Sequence, residues 1–341
     1  MRATAFDRAA YRAGVAARVA WFGAHYAALA RMTGRTGRSS PQMRKALSGA
    51  MSDLFQKDWA NVAAGVYPAP EDAPRLADAP RIAGLTRRFF KDARAVDGRR
   101  KAHNHSEVLS EELRASYPRY YLQNFHYQTD GWLSEDSARL YDMQVEVLFT
   151  GAADAMRRQA LPFIAEALSG RDPRLARHAD FACGTGRFLQ DVKRAFPLLP
   201  VTAIDLSPDY LRFAENRLRG TRDVSFVQAN AEATPLADDS QDIVTAIYLF
   251  HELPPKARAA VAAEIARVLK PGGVFVLVDT LQLGDNPPLD GLLERFPEEF
   301  HEPYYSGYIA EDLGERFGAA GLVRMQDSLA FLSKATAFRK A

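Results

Sequence analysis

Asp180-Phe-Ala-Cys-Gly-Thr-Gly186 is the stretch that decides the fold of this 341-residue chain. It overlaps a short apolar run, residues 177–182, that predicts a β-strand, and it opens a predicted helix. Gly184 and Gly186 allow a tight turn and a close backbone approach to a ligand, and a helix N-terminus favours electronegative groups. A dinucleotide site would carry a third glycine at position 189. Leu189 stands there, which disfavours NAD and FAD.

After Pro173, short β-branched or apolar runs alternate with helical segments, which indicates βαβ units on a parallel sheet. The predicted strands are residues 177–182, 201–205, 224–228, 243–248 and 274–279, with a closing antiparallel pair at 324–331 and 333–338. The predicted linking helices are residues 186–195, 208–218 and 255–269. We therefore expect an α/β fold, a Rossmann-like, doubly wound, mostly parallel seven-stranded sheet.

The first half of the chain has a different pattern. Residues 137–148 and 154–168 space their apolar side chains as helices do, whereas four prolines predict a loop over residues 67–80. We expect an added, mainly helical N-terminal region over residues 1–150 and the ligand-binding domain over residues 151–341.

Three further segments follow the glycine turn. Asp205 ends the second strand, where its carboxylate can accept hydrogen bonds from both hydroxyls of a ribose. Gln228-Ala-Asn230-Ala231 follows strand three, and Tyr248-Leu-Phe-His251 ends strand four. Pro271-Gly-Gly273 is predicted to be a simple turn before strand five.

The order of these segments resembles that of the class I S-adenosylmethionine (SAM)-dependent methyltransferases, within the small-molecule branch that includes the quinone and sterol enzymes. The resemblance implies SAM as cofactor, with the glycine turn at its methionine moiety and the Asn230 segment at its adenine. It implies these cofactor-binding residues: Asp180, Ala182, Cys183, Gly184, Thr185, Gly186, Asp205, Leu206, Asn230, Ala231 and Tyr248. It further implies an enzyme that moves a methyl group from SAM to a small, aromatic or lipidic acceptor.

His251 is the candidate general base, since it lies at the carboxyl edge of the sheet and imidazole titrates near neutrality. The alternative is that it packs under the cofactor, with Glu252 either orienting it or facing solvent. Cys183 lies inside the glycine turn without a base beside it in sequence, so we expect no catalytic thiol.

Two aromatic segments, residues 117–134 and 296–308, are the candidate walls of an acceptor pocket, as the resemblance implies. The alternative is that their tyrosines pack the helical region onto the core. The candidate substrate-binding residues are Tyr127, Gln128, His251, Tyr304, Tyr305 and Tyr308.

Other function classes stay open. A SAM-binding regulatory or assembly protein without activity is one alternative, and an RNA methyltransferase is another. The RNA alternative is disfavoured because the Asn/Asp-Pro-Pro-Tyr/Phe tetrad of many base N-methyltransferases is missing after strand four. A net charge of +2 also makes nucleic acid an unfavoured partner.

Charge and composition also bear on membrane contact, cellular location and metal binding. Residues 1–45 carry nine basic residues against one acid, which fits either a solvated helix face or peripheral contact with a membrane surface. The apolar run at 19–30 is expected to be a retained amphipathic helix. A single cysteine favours a reducing, cytoplasmic location. His103-Asn-His105 lacks further ligands at metal-binding spacing, so no metal is expected.

Overall fold

The computed structural model describes residues 4–34, 40–71 and 79–341. Its centre is a seven-stranded sheet in the order β3-β2-β1-β4-β5-β7-β6. The strands are β1 (His178–Phe181), β2 (Val201–Asp205), β3 (Val224–Gln228), β4 (Gln241–Ile247), β5 (Leu269–Thr280), β6 (Leu322–Ala330) and β7 (Ser333–Lys340). The first five strands run parallel, and β7 pairs antiparallel with both β5 and β6. The predicted fold class is confirmed.

The chain winds outward from β1 on both sides, so the sheet has a switch point between β1 and β4. Ligands of open α/β sheets bind outside the carboxyl ends of the strands at such a point. The glycine turn after β1 and the segment after β4 both lie there.

The helices surround this sheet and precede it. They are α1 (Ala5–Thr33), α2 (Pro41–Ala63), α3 (Ala79–Ala102), α4 (Glu111–Arg114), α5 (Glu135–Leu148), α6 (Ala153–Arg158), α7 (Leu161–Ala167), α8 (Arg187–Ala195), α9 (Pro208–Arg217), α10 (Pro255–Val268), α11 (Asp290–Glu299), α12 (Tyr305–Ile309) and α13 (Leu313–Gly318). Ser207 caps α9, with Pro208 in its first turn as the sequence predicts.

Three local expectations differ from the structure. The helix expected over 154–168 is two helices, since Pro162 lies in the first turn of α7 and provides no N–H to continue α6. Pro271-Gly-Gly273 lies within β5, near a register shift against β4, rather than in a free turn. In the loop expected over 67–80, Pro80 belongs to the first turn of α3, and residues 72–78 lie outside the described residues.

Each face of the sheet has its own core layer because strand side chains alternate. On β5, Phe275 and Leu277 pack in one layer with α10 and α13. Val274, Val276 and Val278 face the other layer, which α7 and α8 cover. The covered sheet therefore holds the carboxyl ends of its strands in fixed positions.

The N-terminal helices pack onto this core. α1 contacts α2, α3 and α5, and its buried residues include Arg18 and His25. Tyr26 lies in the apolar run at 19–30 that is expected to form an amphipathic helix, but it is 46% exposed and is not part of the buried face. Across the described part of the chain, no helix combines the length and apolar character needed to cross a membrane.

Candidate active site

The glycine turn has the left-handed backbone that its sequence predicts. Ala182, Gly184 and Gly186 have φ of 58°, 54° and 71°, and α8 begins at the next residue. A Cβ on Gly186 would lie 3.0 Å from Ala214 Cβ on α9. Glycine at 186 is therefore required both by the backbone and by the close helix packing.

Asp180 ends a buried chain of hydrogen bonds. The Thr245 hydroxyl donates to Asp180 Oδ1 at 2.5 Å, and His178 Nε2 lies 2.8 Å from that hydroxyl. Because the Thr245 hydroxyl donates its proton to Asp180, it can only accept from His178, and His178 therefore carries its proton on Nε2. Burial raises the pKa of Asp180 to about 7 and lowers that of His178 to about 3.

Asp205 ties the second strand to the glycine turn. Its Oδ2 accepts from the Gly184 N–H at 2.8 Å, and its Oδ1 accepts from the Ser207 N–H at 2.9 Å. Each oxygen retains a second lone pair, so the expected contact with ribose hydroxyls stays a prediction. Burial raises the pKa of this carboxyl to about 6, against the opposing backbone hydrogen bonds.

Thr185 joins the turn to two helices. Its hydroxyl donates to Asp142 of α5 at 2.8 Å, and Arg217 of α9 donates to the same hydroxyl at 2.9 Å. Arg217 also pairs with Asp142. The turn is thus braced by an N-terminal helix that sequence spacing did not connect to it.

The expected adenine segment is ordered by its own side chains. Asn230 Oδ1 accepts from the Glu232 N–H at 3.0 Å, while Tyr120 donates to Glu232 Oε1 at 2.6 Å. The expected role of Asn230 and Ala231 at adenine stays a prediction. Tyr120 brings the first aromatic segment against this turn.

Tyr248 follows β4 with φ of 58°, a costly conformation for a tyrosine. Its hydroxyl lies 3.0 Å from Ser333 Oγ, and the Arg157 guanidinium lies 5.7 Å from its ring centre. Such strain is characteristic of functional sites, and here it follows the strand end that borders the switch point.

His251 has a partner that the sequence did not indicate. Its Nδ1 lies 2.6 Å from Oδ1 of Asp279 near the end of β5, and Asp279 Oδ2 accepts from the Phe250 N–H. Burial disfavours the charged imidazole, but Asp279 and then Glu252 outweigh it and raise the His251 pKa well above its ordinary value. The Asp279 contact fixes the ring so that Nε2 faces away from β5.

The two aromatic segments meet beside this histidine. The backbone N–H of His126 donates to the backbone carbonyl of His301 at 3.2 Å, and His301 Nε2 lies 2.7 Å from Gln123 Oε1. His105 stacks on His301 at 4.0 Å. Residues 117–134 and 296–308 therefore form one covering layer, which we call the cover.

The structure separates the candidate substrate residues. Tyr305 and Tyr308 present ring edges to His251 at centroid distances of 6.0 and 6.3 Å. Tyr127 contacts His301, and Tyr304 contacts Arg258 through its carbonyl. Gln128 donates to Ser137 and Tyr210, so it joins α5 to α9, and its role toward a substrate stays a prediction.

A cluster of His126, Glu252 and Glu302 lies next to His251. His126 Nε2 is 2.8 Å from Glu302 Oε1 and 3.4 Å from Glu252 Oε1, and the three ligand-type atoms lie within 4.8 Å of one another. Glu252 Oε1 is 3.5 Å from His251 Nε2. Glu252 therefore faces the protein interior, which resolves the alternatives left open for it.

The carboxylates of this cluster lie in ion-pair contact with His126 but have few aligned hydrogen bonds. Neither oxygen of Glu302, nor Oε2 of Glu252, takes part in an aligned hydrogen bond with any described residue. Burial and then Glu252 raise the pKa of Glu302 to about 7. Burial opposes protonation of His126, yet Glu302 and Glu252 raise its pKa to about 10.

Sequence reasoning missed Asp279, Glu302 and the position of His126. A carboxylate near the carboxyl end of strand five was the available signal for Asp279. No local signal joined His126 to Glu302, because their contact depends on how the cover packs.

Cys183 fits its expected inert role. The thiol is buried and burial raises its pKa well above the ordinary value, which disfavours a thiolate. Its expected place at the cofactor stays a prediction, as does that of Leu206.

Comparison with known proteins agrees with this arrangement. A family model described as a methyltransferase domain matches residues 179–273. A ubiquinone/menaquinone biosynthesis C-methyltransferase from Desulfotalea psychrophila is 30% identical over 179 residues, covering 52% of this chain and 65% of that protein. A demethylmenaquinone methyltransferase from Thermotoga maritima is 31% identical over 179 residues, covering 51% of this chain and 71% of that protein.

The chain spans less than two thirds of the length of several such relatives, 65% for the Desulfotalea protein. Among solved structures, a SAM dependent methyltransferase from Aquifex aeolicus is 19% identical with a TM-score of 0.39. That match covers 53% of this chain and 89% of the Aquifex chain.

Proposed function

Because the chain belongs to the class I SAM-dependent methyltransferases, we propose that it transfers the methyl group of SAM to a small aromatic or lipidic acceptor, with His251 as general base. SAM is the cofactor of this family. The observation that carries the proposal is the 2.6 Å contact between His251 Nδ1 and Asp279 at the carboxyl edge of the sheet. A histidine held by a carboxylate in this way presents its other nitrogen to a substrate.

Cofactor binding is proposed at the turn and the two strand ends beside it. Asp180 and the residues 182–186 would hold the methionine moiety, and Asp205 would hold the ribose. The left-handed backbone and the bracing of Thr185 support this assignment, since they preorganise the turn before any ligand arrives.

The proposed chemical step is in-line transfer of the methyl group from the sulfonium to an acceptor atom. In its deprotonated form, His251 takes at Nε2 the proton that the acceptor loses, and S-adenosylhomocysteine is the second product. Because Asp279 and Glu252 raise the His251 pKa well above its ordinary value, that form becomes populated as pH rises. Alignment of donor and acceptor supplies much of the acceleration, with proton removal contributing about 10²–10⁴-fold.

An aromatic acceptor is supported by the walls around His251. Tyr305 and Tyr308 border the imidazole, and Phe296 packs 5.0 Å from the Tyr305 ring. Apolar walls with few polar groups suit flat or lipidic molecules. The relatives from Desulfotalea and Thermotoga are named as quinone methyltransferases. Reduced demethylmenaquinone, which is electron-rich, is therefore the first acceptor to test.

The site is closed in this conformation. His251 is 8% exposed, and Tyr305 of the cover, whose ring borders His251, is 3% exposed. We propose that the cover moves to admit the acceptor and then excludes water during transfer.

The test begins with calorimetric titration of the full chain with SAM and S-adenosylhomocysteine. We expect micromolar affinity in the wild type and at least tenfold weaker binding in Asp205→Ala. Absence of binding in a folded sample would contradict cofactor assignment.

Methyl-labelled SAM is then supplied with demethylmenaquinone, simple phenols and fatty acids. His251→Asn should lower the turnover number about 10²–10⁴-fold with SAM affinity unchanged. His103→Asn removes an exposed imidazole and is the matched control. SAM binding without labelled product from any acceptor would favour a regulatory SAM-binding protein instead.

A further inference from the structure

We propose that His126, Glu252 and Glu302 form a binding site for a divalent transition-metal ion beside the methyl-transfer site. One imidazole nitrogen and two carboxylates are a common ligand set for zinc and manganese. The proposal concerns ion binding by these residues and does not depend on methyl transfer.

The spacing of the ligand atoms fits an ion at their centre. Zinc ligands lie about 2.0–2.2 Å from the metal, which places neighbouring ligand atoms about 3.3 Å apart in a tetrahedral site. His126 Nε2 lies 2.8 and 3.4 Å from the two glutamates, and all three atoms fall within 4.8 Å. The separation of 2.8 Å is a hydrogen-bond distance, so the carboxylates would have to move when an ion binds.

The second observation is the state of Glu302. Its side chain is 0% exposed, yet neither of its oxygens has an aligned hydrogen bond from the described residues, and Glu252 Oε2 shares that condition. Buried carboxylate oxygens without hydrogen bonds are costly, and most are paired or coordinate metals.

The charge of the two glutamates also favours a bound cation. With His126 deprotonated to bind an ion, the two ionised carboxylates carry a charge of −2, which a divalent cation balances. A proton shared by His126 and Glu302 is the competing way to neutralise the cluster.

The site is partly exposed at His126 and has a defined surround. The His126 side chain is 27% exposed, whereas Glu252 and Glu302 are 9% and 0% exposed. Phe296 and Phe300 meet the imidazole edge-on at 6.3 and 6.0 Å. His126 is therefore the ligand candidate nearest solvent, and phenylalanine rings border its imidazole.

On the proposed function, the ion would lie close to His251, since Glu252 Oε1 is 3.5 Å from His251 Nε2. An open coordination position there would take an oxygen of the acceptor. This narrows the acceptor class to hydroxylated or carbonyl-bearing compounds.

The experiment measures ion binding without any acceptor or SAM. The full chain is stripped with a chelator, desalted and titrated separately with Zn²⁺, Mn²⁺ and Mg²⁺ by calorimetry, and bound metal is counted after gel filtration. We expect about one Zn²⁺ or Mn²⁺ per chain and much weaker Mg²⁺ binding, since Mg²⁺ prefers all-oxygen ligands.

Three variants locate the ion. Glu302→Gln and His126→Asn should each weaken binding at least about tenfold. Asparagine suits position 126 because φ is 53° there. Glu298→Gln removes a charge from an exposed glutamate of the same segment and should bind as the wild type does. Unfolding midpoints of all variants show that each is folded.

Two results would overturn the proposal. One is a wild-type protein that retains no ion, which would leave the shared proton as the explanation of the cluster. The other is stoichiometric binding that survives in both Glu302→Gln and His126→Asn, which places the ion elsewhere. Neither result affects the SAM titration, so the two proposals fail independently.

Discussion

At the residue scale, Gly186 and Ala182 both have left-handed backbone in the same turn, but only glycine adopts that conformation without strain. Gly186 has φ of 71° and no room for a Cβ beside α9, whereas Ala182 has φ of 58° despite carrying one. We expect Gly186→Ala to lower the free energy of unfolding by about 2 kcal/mol, from strain and overpacking combined.

Ala182→Gly is the companion substitution. It relieves left-handed strain of about 1–2 kcal/mol but costs about 0.5–1 kcal/mol of chain entropy. Chemical denaturation should therefore show equal or slightly greater stability. A clear loss in this variant would mean that the Ala182 side chain makes packing contacts that outweigh the strain.

His178 gives a pH dependence with a defined sign. Its pKa is lowered from 6.5 to about 3 in the folded chain because it is buried. The unfolded state thus binds the extra proton first, and this contribution to stability is lost as pH falls below about 6.5. Between pH 7 and 5 the loss is roughly 2 kcal/mol.

His178→Gln tests this, since an amide N–H can replace Nε2 toward Thr245. Denaturation at pH 7 and 5 should show that the variant loses about 2 kcal/mol less than the wild type. Equal losses in both proteins would mean that His178 is protonated in the folded state.

At the element scale, α1 is held by a buried charge rather than by its apolar stripe alone. Arg18 pairs with Glu146 of α5 and Asp154 of α6, at 2.5 and 2.7 Å, and donates to the Gly151 carbonyl. This network joins the N-terminal helix to the helices that lead into β1. Truncating Arg18 leaves buried carboxylates with less compensation.

Arg18→Ala should lower the free energy of unfolding by about 3 kcal/mol. Arg12, one turn and a half earlier, is exposed, and Arg12→Ala should change stability by less than about 0.5 kcal/mol. Thermal or urea denaturation distinguishes the two. Similar small effects would show that α1 docks mainly through apolar contacts.

At the scale of the whole molecule, the cover and the sheet differ in construction. The sheet is a continuous seven-stranded ladder, whereas the cover consists of short helical turns and includes left-handed His126, Tyr127 and Asp130. Local opening is expected where backbone hydrogen bonds are few. Contact of residues 1–45 with a membrane surface stays a prediction, and residues 1–3 and 35–39 of that arm lie outside the described residues.

Hydrogen exchange measured by mass spectrometry should therefore be faster in residues 117–134 and 296–308 than in β4 and β5. Addition of S-adenosylhomocysteine with an acceptor should slow exchange in the cover. Unchanged exchange on addition of both ligands would argue against a moving cover.

How much the sequence predicted depends on whether the signal was local. The alternation of strands and helices and the glycine turn are encoded within short windows, so the fold and its antiparallel closing pair were predictable. The division into residues 1–150 and 151–341 stays a prediction, although the hydrogen bond from Thr185 to Asp142 shows that α5 contacts the glycine turn directly.

Periodicity and glycine chemistry act over neighbouring residues, so the doubly wound sheet and the tight glycine turn after β1 follow from the local sequence. Only the tertiary structure decided that Asp279 orients His251 and that His126 meets Glu252 and Glu302. Those contacts join residues far apart in the chain. They arise from the packing of the cover against the sheet edge, which no local pattern specifies.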